Sequence, residues 1–175
     1  MLDTIKASIA NQFEAALCTL NVCIEKCPEP AWNMAIGNYP FSQVVFHTLF
    51  FTDYYLGPDE ESFRRQAFHR DDARFFGDYE QLEDREPKAR YDRASIGKYM
   101  EHCRRKASEV IASESVDTLS APAGFSRRNF SRSELYVYTI RHVQHHAAQL
   151  SLRLRIDADR DVPWVGSGWA SDAVT

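Results

Sequence analysis

Residues 131–156 read SRSELYVYTIRHVQHHAAQLSLRLRI, and this stretch decides the fold. Ser131 and Glu134 have the spacing of a capping box, and Phe130 and Leu135 stand where a hydrophobic staple would hold the first turn. Tyr136, Ile140, Val143, Ala147, Leu150 and Leu154 then recur at steps of three and four, the period of one apolar helix face. No Gly or Pro interrupts them. The pattern predicts a helix running unbroken to about Ile156.

Three further segments carry the same period. Ile5, Ile9, Phe13, Ala16, Leu20, Cys23 and Ile24 predict a helix from about Asp3 to Cys27, ended by Pro28 because a proline disfavours the α conformation of the residue before it. After a loop over 28–40 with Pro28, Pro30 and Pro40, a second long helix is expected from Phe41 to Leu56, stopped by Gly57-Pro58. On it Gln43, Val44, His47, Phe50, Phe51 and Tyr54 share one face. A third runs from about Ser95 to Ser115, with Ile96, Tyr99, Met100, Cys103, Val110 and Ile111 on its apolar side. Between the second and third lies the 57–92 excursion, dense in charge and in Phe and Tyr. It is too long for a simple loop, so a short helix within it and aromatic packing of 63–79 over one end of the helices are expected. Four long helices without strand-like alternation argue for an all-α four-helix bundle, one domain over 1–175 with a 157–175 tail.

Composition agrees and narrows the function. The chain has 175 residues, 44% of them hydrophobic, with only 7 Gly and 7 Pro, so neither a low-complexity chain nor a turn-rich sandwich fits. Its net charge of −4 has the wrong sign for a duplex-DNA binder, whose affinity is dominated by phosphate contacts. No run is apolar enough to cross a bilayer, and Met1 to Lys6 carries no signal-peptide pattern. Cys18, Cys23, Cys27 and Cys103 read as reduced, buried thiols rather than a disulfide framework, and a cytoplasmic location follows. Tyr138, Ala148 and Leu152 put more apolar surface on the outer face of the last helix than water normally meets. A dimer interface is expected there; the competing expectation is that the tail with Trp164 and Trp169 folds back over it.

The chemistry lies in the histidines. His142 and His146 are four apart and rise from one face of the last helix one turn apart, the spacing by which a helix offers two imidazoles to one ion. His145 leaves the helix on the far side and is not a third ligand. His47, inside the aromatic stripe of the second long helix, is. Three imidazoles around a divalent ion leave a position for water or substrate, as in catalytic rather than closed structural sites. Val143 follows His142 where a metalloprotease helix would carry Glu, so that chemistry is not expected. Neutral imidazoles suit several divalent ions.

These segments, Val45-Phe46-His47-Thr48-Leu49 and His142-Val143-Gln144-His145-His146-Ala147-Ala148-Gln149-Leu150, resemble the DinB/YfiT-like superfamily, whose late motif reads roughly His-x-x-His-His-x-Gly-Gln. The long connection between the second and third helices and the tail Pro163-Trp164-Val165-Gly166 match as well; Ala148 stands where the family often has Gly. The resemblance implies a four-helix bundle in up-down-down-up order with His47, His142 and His146 as ligands of a divalent metal, zinc or nickel foremost, and often a homodimer. It also implies a small-molecule substrate and a low-molecular-weight thiol cofactor such as mycothiol or bacillithiol, in a thiol S-transferase or isomerase. The alternatives are a non-catalytic metal-binding or stress-associated homodimer, and a metal-free dimer with incidental histidines. Gln43 and Gln149 are placed to support the ligands, and Arg141 or Arg153 to meet an anionic substrate group.

Overall fold

The computed structural model describes residues 1–36, 39–76, 90–126 and 129–170. In chain order these form α1 (Leu2–Lys26), α2 (Glu29–Trp32), β1 (Ala35–Ile36), β2 (Tyr39–Pro40), α3 (Phe41–Leu56), α4 (Glu60–Phe63), α5 (Ala67–Asp71), α6 (Arg93–Ser113), α7 (Val116–Ser120) and α8 (Arg132–Ala158). The protein is predominantly helical. Its β1 and β2 make one short antiparallel pair, Ala35 opposite Pro40 and Ile36 opposite Tyr39, which leads the chain into α3.

The four long helices, α1, α3, α6 and α8, are those the periodicity predicts. Two of them, α6 and α8, each pack against both α1 and α3. The seam they share is a continuous apolar core that includes Phe13, Leu17, Leu20, Phe46, Leu49, Ile96, Tyr99, Tyr136, Val143 and Leu150. The expected stripe of α8 is buried except for a half-buried Ile140. Ser131 Oγ accepts from the Glu134 amide at 3.2 Å, so the expected N-cap forms. At the other end Asp159 turns the chain with φ 52°.

Two arginines close helix C-termini, where a cation meets the negative end of the helix dipole. Arg93 donates to the carbonyls of Ile24 at 2.7 Å and Cys27 at 2.5 Å at the end of α1. The buried Arg132 donates to the carbonyls of Tyr55, Leu56 and Gly57 at 3.1, 3.0 and 2.7 Å at the end of α3. This ties the start of α8 to the end of α3, the two helices that carry the histidines.

Three expectations are refined or corrected. The α3 stripe through Val44, His47, Phe51 and Tyr54 is the half-buried side of that helix; Phe41, Val45, Phe46, Leu49, Thr52, Asp53 and Leu56 face the core. The helix is covered on nearly every side, so hydrophobicity alone could not say which face is deepest. The Phe-rich segment orders as expected over its described part. Phe63 and Phe76 are buried, Phe75 and Phe76 contact Phe46, and Phe63 contacts Phe50. Tyr79 and the rest of 77–89 lie outside the described residues.

The described part of the tail, through Ala170, does not cover the outer face of α8. Instead Val165 packs on Ala15, Cys18 and Val22 of α1, Gly168 donates to the Asn11 carbonyl at 3.0 Å, and Arg104 lies over the Trp169 ring at 3.6 Å. Ala15, Cys18 and Val22 of α1 and Val165 of the tail form a small buried apolar cluster apart from the main core. Val137, Leu152 and Ile156 of α8 remain exposed, as does Trp164.

Candidate metal centre

His47 and the pair His142 and His146 come from α3 and α8, which pack side by side. One turn of α8 separates His142 from His146, and both rings lean toward His47. The ring centroids lie 5.1 Å apart for His47 and His142, 4.7 Å for His47 and His146, and 4.6 Å for His142 and His146. All three residues are half-buried, and one nitrogen from each falls within 4.8 Å of the others, so the group can hold a metal ion. His47 Nε2 and His142 Nε2 are 3.2 Å apart. A tetrahedral ion with metal–nitrogen bonds of about 2.0–2.1 Å needs its ligands roughly 3.3 Å apart. That pair already stands at this spacing, and small side-chain movements bring in the third ring. The donor set therefore fits a divalent ion.

Electrostatics favour the binding form of the rings. Burial pushes the His47 imidazole down to about 3, helped by the neighbouring His146 and then His142. Burial lowers His146 too, opposed by its bond to Gln149 and aided by His145. Gln149 Oε1 can only accept, so His146 donates from Nδ1 at 2.9 Å, and its Nε2 is left for a ligand role. Gln149 then donates to the exposed His145 at 3.1 Å. His145 stays out of the group, as its helix position required.

A cavity of about 300 Å³ opens beside the histidines, walled by Tyr39, Gln43, Val44, His47, His146 and Gln149. His142 is not part of this wall. Arg141 is exposed, and Arg153 turns away to the Met34 carbonyl and Asp157, so neither lines the cavity. The cysteines do not contribute: among the described residues Cys23, Cys27 and Cys103 join no group able to hold a metal. Burial pushes the Cys23 thiol up to about 12 and raises Cys27 and Cys103 as well.

A second polar constellation escaped sequence reasoning. The fully buried Asp53 of α3 accepts from His69 Nε2 at 2.7 Å, His102 Nε2 at 3.2 Å, Tyr99 Oη at 3.1 Å and Lys106 Nζ at 2.5 Å. Gln66 Nε2 joins at 3.1 Å. Burial acts to raise the Asp53 carboxyl, but the bonds from His102 and His69 and the Lys106 charge outweigh it and hold it well below the usual carboxylate range. Because the carboxylate only accepts, both histidines carry their proton on Nε2. The network bolts α3, α5 and α6 together. Its members lie 13 to 53 positions from Asp53, and no local spacing announces them.

A predominantly helical protein with a half-buried three-histidine group beside a cavity is the class that fold and site define. Compared with protein-family models, curated proteins and solved structures, the chain matches none of them.

Proposed function

We propose that this chain is a divalent-metal protein of the DinB/YfiT-like kind, a four-helix bundle in up-down-down-up order in which His47, His142 and His146 hold the ion. Its activity is metal-dependent chemistry on a small molecule, of the thiol S-transferase or isomerase type. The observation that carries the reading is the convergence of three imidazoles, two of which also wall a cavity of about 300 Å³. A bound divalent ion supplies one thing there: it lowers the pKa of a water or thiol at its remaining position. The chain's buried cysteines do not serve as that thiol, so it enters as a low-molecular-weight cofactor. The competing reading, a non-catalytic ion that braces the helices, draws on the histidines joining α3 to α8.

The test is elemental analysis of protein purified without an affinity tag, followed by assay of thiol consumption with electrophilic substrates. Stoichiometric zinc or nickel and thiol turnover abolished by His47→Ala support the enzyme. Metal without turnover of any thiol supports the brace. Absence of metal after exposure to zinc and nickel salts rejects both.

A further inference from the structure

Gln43 is one turn before His47 on the same face of α3 and forms part of the cavity wall. It is 1% exposed, yet neither its amide nitrogen nor its amide oxygen has a hydrogen-bond partner among the described residues. A buried side-chain amide left open on both atoms is rare, because each unpaired group weakens the fold. Such an amide is retained where a ligand completes it.

We propose that Gln43 receives the cis-amide edge of a substrate bound in this cavity: a primary carboxamide, a lactam or a ureide. The proposal rests on reading the cavity as the substrate site of the three-histidine centre. A glutamine side chain offers one acceptor next to one donor, so its full complement is a donor next to an acceptor on a rigid planar edge. Exchange of the amide oxygen and nitrogen leaves this requirement unchanged. A carboxylate, which only accepts, would leave the Gln43 oxygen facing another lone pair. Val44 and the ring of Tyr39 suit an apolar body attached to that edge, and about 300 Å³ sets the scale of a small molecule.

The experiment titrates the full chain with pyrrolidinone and with cyclopentanone, which has the same ring size and a carbonyl but no N–H. Binding is read in proton–nitrogen correlation spectra from the Gln43 side-chain amide signals, assigned by their loss in Gln43→Met. Pyrrolidinone is expected to shift those signals saturably, with cyclopentanone about tenfold weaker, the value of one hydrogen bond of ordinary strength. In Gln43→Met, followed through neighbouring backbone signals, that preference disappears. Methionine fills a similar volume without polar atoms, so this variant should also melt about 3 °C or more higher than the parent. The proposal is overturned by the lack of a saturable shift, by equal binding of cyclopentanone, by a preference that survives in Gln43→Met, or by a lower melting temperature of that variant. Zinc content of the same samples separates the two readings. Lactam binding without zinc binding sinks the metal centre alone, and zinc binding without lactam binding sinks this proposal alone.

Discussion

His47 of α3 and His142 of α8 meet Nε2 to Nε2 at 3.2 Å although 95 positions separate them in the chain. Two imidazoles whose ring nitrogens face one another in this way, with His146 beside both, make a site that depends on each member. Replacing His47, His142 or His146 with Ala is expected to lower zinc affinity by about 100-fold or more, since loss of a second-shell partner alone costs 10–100-fold. His145→Ala, outside the group, should change it less than about tenfold. Isothermal titration with zinc reads all four. If His145→Ala empties the site while His142→Ala leaves it full, the ligand assignment is wrong.

The Asp53 network gives a stability prediction independent of metal. Asp53→Ala leaves Lys106 half-buried without its carboxylate and two buried histidines without their acceptor. Removing one partner of a buried ion pair destabilises by about 3–5 kcal/mol. Asp53→Asn keeps the shape and one acceptor oxygen and should lose less than Asp53→Ala. Urea unfolding of chelator-treated protein measures both, and a loss below about 1 kcal/mol for Asp53→Ala would contradict the network.

Acid should expose the same carboxylate. Asp53 is held below its ordinary 3.8 in the folded chain, so around and below that value the unfolded chain binds more protons than the folded one. Stability from this group is therefore present above the unfolded value and is lost as pH falls through 3.8 and below it. Asparagine cannot titrate. The gap in unfolding free energy between the parent and Asp53→Asn is expected to narrow steadily as pH falls from about 5 to about 2; a constant gap would show that Asp53 carries no such linkage.

The outer face of α8 carries Val137 at 52%, Leu152 at 56% and Ile156 at 72% exposure, and the tail packs on α1 instead. If this face is the interface of the homodimer that the resemblance implies, a charge placed on it should break the dimer. Leu152→Glu is expected to convert a dimer to a monomer in light scattering without lowering the melting temperature of the monomer. A parent chain that is monomeric at high concentration ends that expectation.

Much of the molecule was legible in the order of its residues. Phe41 to Leu56 emerged with the expected bounds because Pro40 before it and Gly57-Pro58 after it are local punctuation. The α8 stripe was legible because a helix flanked by two neighbours still shows water a polar side. The histidine trio could be written down because His142 and His146 are one turn apart and His47 stands alone in an aromatic stretch.

What the order of residues determined by itself, then, was the set of long helices and which side chains share a face within each, since both depend on interactions a few positions apart. Only the tertiary structure decided which helices are neighbours, and so that His47 meets His142, that the tail lies on α1 rather than α8, and that Asp53 finds His69, His102 and Lys106. It also decided that Gln43 is buried with an open amide beside the cavity. The physical reason is that these facts arise from packing between elements distant in the chain. A helical period says that a face is covered, but does not name what covers it.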